Sequence, residues 1–173
     1  MQKKSLIIID VQNDYFPTGA FPLADTDKTL AAIELAIEKA HSGNIPVVIV
    51  QHVAEHEAGE APFFNPGTIG ADLHSRILEL APEAPIIIKH YADSFVNTSL
   101  ADTLEQLEVN ELILCGMMTQ NCITHTALSR DADRYSSVTV LTDATTTVSP
   151  LLHAIALHAL STRVSLGTVE TSL

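Results

Sequence analysis

The amino-acid sequence predicts a three-layer α/β/α domain built on a parallel β-sheet. Short apolar runs that suit strands alternate along the chain with segments in which apolar residues recur at helical spacing. The first run, residues 6–9, is continuously apolar, as expected for a strand buried on both faces of a parallel sheet. Because the connections are short and no internal repeat or linker is visible, we expect one domain over residues 1–173.

Local signals set the order of the elements. Asp25 or Thr26 can cap a helix that Gly43 stops, and Gly116 is expected to break a strand at 111–115. The long stretch 53–69 is expected to be a loop that covers a site or an interface. The predicted strands are 6–9, 46–50, 86–88, 111–115, 138–141 and 164–169, and the predicted helices are 25–41, 71–80, a segment from 98 or 99 through 107, 121–135 and 150–160.

Composition and charge exclude several classes of function. The net charge of −12 argues against partners such as nucleic acids and anionic membrane surfaces. No apolar run approaches the roughly 20 residues of a membrane helix, and the N-terminal apolar run ends at Asp10, too early for a signal peptide. Cys115 and Cys122 are too few for a disulfide framework. We therefore expect a cytoplasmic protein with a small-molecule substrate.

Cys122 is expected where a parallel strand passes into a helix. Unpaired N–H groups at a helix N-terminus favour a thiolate, so this reading predicts a lowered pKa and a nucleophilic sulfur. The same N–H groups could hold the oxyanion of a tetrahedral intermediate. Alternatively, Cys122 is a small apolar residue on a buried helix face, and this stretch by itself leaves both readings open.

Three reactive side chains fall at the ends of predicted strands: Asp10, Lys89 and Cys122. Each has an ordinary explanation, as a turn residue, a solvated strand end and a core residue. However, the carboxyl ends of parallel strands meet at one edge of a sheet, where ligands bind. A carboxylate can take the proton of a thiol, and a lysine near both balances their charges. The three residues therefore predict a catalytic triad.

The sequence resembles the isochorismatase-like cysteine hydrolases over nearly the whole chain. The resemblance rests on several motifs in the family's order: Ile-Asp-Val-Gln-Asn-Asp-Tyr-Phe at 9–16, Asn-Pro-Gly-Thr at 65–68, Lys89 with Phe95, Gly-Met-Met-Thr at 116–119, Asn-Cys at 121–122, Thr-Ala at 126–127 and Asp-Ala at 143–144. It implies a Rossmann-like, six-stranded parallel sheet of order 3-2-1-4-5-6.

The resemblance also implies roles for individual residues. Asp10, Lys89 and Cys122 match the family's catalytic triad. The family has a non-proline cis peptide that falls between Met117 and Met118 here. The backbone N–H groups of Met118 and Cys122 are then the expected oxyanion hole.

The sequence departs from the family at three positions near the expected site. Nicotinamidase-type members carry a metal-binding Asp-x-His after the second strand, where this chain has His52 and Ala54. We therefore expect no metal site of that type and no cofactor. His52 and His56 could still be argued as ligands, but a polar loop is the preferred interpretation. Tyr91 replaces an arginine of many relatives, which weakens the case for a carboxylate-bearing substrate.

Phe16, His90, Tyr91 and Phe95 are the predicted substrate contacts, because they fall in loops at the active edge of the sheet. The predicted function is hydrolysis of a small amide or related C–N bond through an acyl-enzyme on Cys122. Three alternatives remain: vinyl-ether hydrolysis of isochorismate, a catalytically silent relative, and a non-enzymatic module of the receiver type, which the lack of an acidic pair after strand one disfavours. We expect a homodimer or homotetramer. The substrate stays open, since loops 53–69 and 91–97 set it.

Overall fold

The computed structural model, which describes residues 3–55 and 61–173, contains a six-stranded sheet in which all strands are parallel. The strands are β1 (Lys4–Ile9), β2 (Val47–His52), β3 (Ile86–Lys89), β4 (Glu111–Met117), β5 (Ser137–Thr146) and β6 (Ser165–Gly167). Their order is β3-β2-β1-β4-β5-β6. The predicted fold class and the strand order implied by the resemblance are therefore confirmed.

Helices cover both faces of this sheet. They are α1 (Thr26–Ser42), α2 (Ser75–Leu80), α3 (Leu100–Gln106), α4 (Thr124–Ala127), α5 (Pro150–Leu160) and α6 (Val169–Ser172). Successive side chains of β1 point to opposite sides, so that Leu6 and Ile8 join one buried cluster and Ile7 and Ile9 join the other. These two clusters are the cores on either side of the sheet. Within the described residues, no helix is both long and apolar enough to cross a membrane.

The predicted helix over 121–135 is wrong. The structure has a π-helical turn at Thr119–Ile123, the short α4, and a 3-10 turn at Ala132–Arg134. Hydroxyl side chains in this segment bond outside a regular helix. Thr124 Oγ1 donates to the Thr119 carbonyl at 2.6 Å, and Ser129 Oγ accepts from the Asp131 N–H at 3.2 Å. Such local bonds compete with the helical pattern.

Several element boundaries also differ from prediction. The largest difference is in β5, which was predicted over 138–141 and runs from Ser137 to Thr146. β4 continues through Gly116 to Met117, because Gly116 still pairs with Ile9 of β1. α2 begins only at Ser75, after a 3-10 turn at Ile69–Ala71. β6 ends at Gly167, since Thr168 caps α6 through reciprocal hydrogen bonds with Thr171.

Candidate active site

Lys89 is the centre of a buried cluster at the carboxyl edge of the sheet. Its Nζ lies 2.9 Å from Asp10 Oδ2, 2.9 Å from His52 Nδ1 and 3.2 Å from Cys122 Sγ. It also donates to the backbone carbonyl of Tyr91 at 3.1 Å. The side chains of Lys89 and Asp10 have no exposed surface. The structure therefore brings the three predicted triad residues into one group.

The charge of Lys89 is stabilised by its neighbours. Burial lowers the pKa of a lysine, whereas the Asp10 carboxylate and the Cys122 sulfur raise it, and the net effect is a raised pKa. Lys89 is therefore an ammonium at neutral pH. A cation of this kind offsets the negative charge of Asp10 and any charge that forms on Cys122.

Asp10 occupies a strained backbone position directly after β1. Its φ is +54°, in the left-handed region that non-glycine residues rarely adopt. Its N–H donates to the Val50 carbonyl at 3.0 Å, and its carbonyl accepts from the Gln12 N–H at 3.0 Å. Neither carboxylate oxygen has a well-directed hydrogen bond from the described residues, although Lys89 contacts Oδ2. Asp10 therefore keeps acceptor capacity for a proton.

Cys122 lies within the π-helical turn rather than at the start of a long helix. Burial raises the pKa of its thiol, the nearby Asp10 raises it further, and Lys89 opposes both. The lowered pKa predicted from a helix N-terminus is therefore not found. The reason is that the sulfur lies almost completely inside the protein beside a carboxylate. In the resting protein Cys122 is a neutral thiol that needs a base.

Met118 precedes the turn that carries Cys122. The peptide bond between Met117 and Met118 is cis. The Met118 carbonyl accepts from the N–H groups of Asn121 at 3.0 Å and Ile123 at 3.3 Å, which ties the two ends of the turn together. Met118 therefore lies directly before the turn that carries Cys122, and their shared oxyanion site stays a prediction.

His52 is the site residue that sequence reasoning undervalued. It ends β2 and contacts Lys89, 37 residues away in the chain. Its backbone is clamped by the fully buried Gln12, whose side chain accepts from the His52 N–H and donates to the His52 carbonyl, each at 2.8 Å. Burial, followed by the charge of Lys89, lowers the pKa of His52 to about 4. His52 is therefore neutral at physiological pH.

Gln12 and Asp14 were also not singled out, although both lie in the motif at 9–16. Asp14 Oδ1 accepts from the Ala20 N–H at 3.0 Å, and Oδ2 accepts from the Phe64 N–H at 2.7 Å. The motif was a signal, but His52 and Ala71, which Gln12 contacts, and Phe64, which Asp14 contacts, lie too far along the chain for sequence spacing to reveal them.

The four predicted substrate contacts have different surroundings. Phe16 is buried and its ring lies 4.4 Å from that of His74, while Phe95 is a core residue beside Tyr135. Tyr91 is 44% exposed and touches Lys89 only through its carbonyl. His90 follows the last residue of β3 and is exposed, and its Nδ1 lies 2.7 Å from the Val53 carbonyl. Their contact with a substrate stays a prediction.

The residues present do not fit the nicotinamidase type of metal site. Ala54 has no ligand atom where that site needs a histidine. Asp10, His52 and Cys122 do offer ligand atoms within 4.8 Å of one another. However, the ammonium of Lys89 contacts all three residues and would repel a metal ion. The alternative ligand pair of His52 and His56 cannot be compared with the structure, since His56 lies outside the described residues.

A doubly wound α/β domain with aspartate, lysine and cysteine at its carboxyl edge defines a class of protein, and comparison with known proteins identifies the family. The family model described as "Isochorismatase domain" matches residues 4–171. The chain belongs to the isochorismatase family.

Several relatives illustrate this membership. The "uncharacterized isochorismatase family protein YddQ" of Bacillus subtilis is 38% identical over 72% of this chain and 68% of its own length. The nicotinamidase of Escherichia coli is 28% identical over 83% of each chain. An Arabidopsis thaliana relative, 28% identical over 86% of this chain and 83% of its own, is named "Probable inactive nicotinamidase". The crystal structure of a candidate isochorismatase hydrolase from Oleispira antarctica aligns with a TM-score of 0.85 and 30% identity, covering 98% and 95% of the two chains.

Proposed function

We propose that this isochorismatase-family hydrolase cleaves a small amide or related C–N bond through a thioester on Cys122. One observation carries the proposal: the Lys89 ammonium lies between the carboxylate of Asp10 and the sulfur of Cys122, all within a buried site. The nicotinamidases among the relatives support amide chemistry. The resting state is a thiol, a carboxylate and an ammonium.

In the first half-reaction, Asp10 takes the proton of Cys122 as the sulfur attacks the carbonyl carbon. Lys89 offsets the negative charge as it moves from the Asp10 carboxylate to the Cys122 sulfur and then to the carbonyl oxygen of the substrate. The N–H groups of Met118 and Cys122 hold the oxyanion. The C–N bond then breaks, and the leaving nitrogen takes the proton from Asp10. The products of this step are an amine or ammonia and a thioester.

In the second half-reaction, Asp10 accepts a proton from water while the water oxygen attacks the thioester carbonyl. The C–S bond breaks and the proton returns from Asp10 to sulfur. The acid leaves and the thiol is restored. Asp10 can serve in both halves because its carboxylate keeps acceptor capacity in the structure. The cycle consumes one water and needs no other reactant.

The test is to replace Cys122 by alanine. Cys115→Ala is the matched control, since both cysteines are buried. With a panel of small primary amides, Cys122→Ala should lose at least about a thousandfold in kcat/KM for ammonia release. Cys115→Ala should keep activity, and both variants should keep the far-UV circular dichroism of the parent. Unchanged turnover in Cys122→Ala would contradict the covalent mechanism.

The match to the isochorismatase family model favours a second candidate reaction, hydrolysis of the vinyl ether of isochorismate. That reaction releases pyruvate rather than ammonia. Pyruvate release that persists in Cys122→Ala would select it. A protein that releases neither product and shows no acyl adduct on Cys122 by intact mass would instead be a silent relative.

A further inference from the structure

His52 contacts the proposed catalytic lysine, yet the proposed mechanism gives it no role. Its Nδ1 lies 2.9 Å from Lys89 Nζ. An ammonium has no lone pair, so Lys89 must donate and Nδ1 must be the unprotonated ring nitrogen. The neutral ring then carries its proton on Nε2. Contact geometry alone therefore determines the tautomer of His52.

The position of the ring is fixed from outside the triad. Gln12 holds both backbone polar groups of His52 and also donates to the Ala71 carbonyl at 2.7 Å. The His52 ring packs near Phe64, with 5.9 Å between centroids. His52 Nδ1 is thus a fixed acceptor and not a side chain that swings in from solvent.

Lys89 has more neighbours than protons to give them. Four acceptor atoms lie within 3.2 Å of its Nζ: Asp10 Oδ2, His52 Nδ1, the Tyr91 carbonyl oxygen and Cys122 Sγ. An ammonium has three N–H groups. Four acceptors therefore share three N–H groups. His52 competes for them with the carboxylate of Asp10 and with Cys122, which becomes anionic.

We propose that His52 is a positioning residue that draws one N–H of Lys89 away from Asp10 and Cys122 and thereby restrains thiolate formation at Cys122. The inference rests on the proposed function, in which Lys89 balances the charge of the sulfur. A hydrogen bond from an ammonium stabilises an anion more than it stabilises a neutral acceptor. Without the His52 acceptor, the released N–H can be donated to Cys122, where it stabilises the thiolate more than the neutral thiol. The restraint keeps a buried nucleophile in the thiol form, which resists oxidation and alkylation.

Two substitutions of equal size isolate the acceptor. In His52→Asn, the amide oxygen can lie where Nδ1 lies and accept from Lys89. In His52→Leu, a methyl group takes that place. The measurement is the rate of iodoacetamide labelling of Cys122 in the full-length protein, followed by peptide mass spectrometry at several pH values. Labelling of Cys115 in the same samples reports general opening of the fold.

We expect Cys122 of His52→Leu to label about tenfold faster than that of His52→Asn at a given pH below the titration midpoint, which corresponds to one pKa unit. The rate for Cys115 should be equal in the two variants. Equal or slower labelling of Cys122 in the leucine variant overturns the inference.

Labelling requires no turnover, so the two proposals can fail separately. If the asparagine and leucine variants react alike while Cys122→Ala loses its amide turnover, the proposed function stands and only the role of His52 is wrong. If the two variants react alike and Cys122→Ala keeps full turnover, the proposed function and the role of His52 are both wrong.

Discussion

Lys89 sets the charge balance of the candidate site at the scale of single residues. A fully buried ammonium is costly unless anions and hydrogen-bond acceptors compensate it. Asp10 supplies the charge, and His52, Tyr91 and Cys122 supply acceptors. Because the ion pair is inaccessible to water, loss of one partner leaves the other without compensation.

Lys89→Met should lower the free energy of unfolding by about 3–5 kcal/mol, because it leaves the Asp10 carboxylate buried and uncompensated. Urea denaturation measures this loss. The double variant Asp10→Asn/Lys89→Met removes both charges and should recover most of the stability. If Lys89→Met alone is as stable as the parent protein, the ion pair is unimportant for folding.

His52 predicts a pH dependence of stability. Its pKa is about 4 in the folded protein, below the ordinary value of 6.5, so the unfolded chain binds a proton that the folded protein does not. The contribution of His52 to the free energy of unfolding is therefore fully present above pH 6.5 and is lost as the pH falls towards 4. We expect a loss of about 2 kcal/mol from this group, reduced by the partial exposure of the ring.

Urea denaturation at pH 7 and pH 4 tests this dependence against His52→Asn, which has no titrating ring. The parent should lose more stability than the asparagine variant over this interval. Equal losses in the two proteins would mean that His52 does not titrate as its burial requires.

At the scale of elements, the end of β4 depends on a glycine. Gly116 has a φ of +116°, and a Cβ there would collide with the backbone of Ile9 in β1. No other residue type permits both this conformation and the close pairing of the two strands. The glycine thus allows β4 to reach Met117 and to place the turn of Cys122 beside Asp10.

Gly116→Ala should lower the free energy of unfolding by at least about 3 kcal/mol, since strain and backbone overlap combine. Gly67→Ala is the matched control, because Gly67 has a φ of +74° but an added Cβ would meet nothing within 4 Å. That substitution should cost about 1 kcal/mol from conformation alone. Thermal denaturation of both variants decides the matter, and equal losses would refute the role of strand contact.

At the scale of the whole molecule, one face combines exposed apolar side chains with an absence of charge. Leu151 and Ile155 of α5 are 72% and 57% exposed. Residues 144–162 contain no Asp, Glu, Lys or Arg, although the chain carries a net charge of −12. Two copies of so acidic a chain repel each other least where neither bears charge. We therefore propose that a second copy covers this face.

Light scattering after gel filtration should show a dimer or larger assembly that Leu151→Glu reduces to a smaller one. Ile69→Glu is the control, because Ile69 is 80% exposed but belongs to the 3-10 turn before α2 and not to α5. A monomeric parent protein, or a Leu151→Glu protein of unchanged mass, would exclude α5 as the interface.

The sequence by itself determined the sheet and the grouping of Asp10, Lys89 and Cys122. Both follow from local patterns: continuous apolar runs specify buried parallel strands, and polar residues at their ends fall on one edge. The motifs of the family resemblance led to the same strand order. Each of these patterns spans only a few residues, so it can be recognised in the sequence without knowledge of the fold.

Only the tertiary structure decided the protonation of Cys122, the contact of His52 with Lys89 and the interrupted helix after residue 121. The pKa of Cys122 depends on burial and on the charges of Asp10 and Lys89, which are far from Cys122 in the sequence but adjacent in the fold. His52 meets Lys89 only because β2 and β3 pair in register. The helical segment ends at Ala127, and just beyond it the Ser129 hydroxyl accepts from the Asp131 N–H. Each outcome depends on groups brought together by folding, whose distances no local pattern contains.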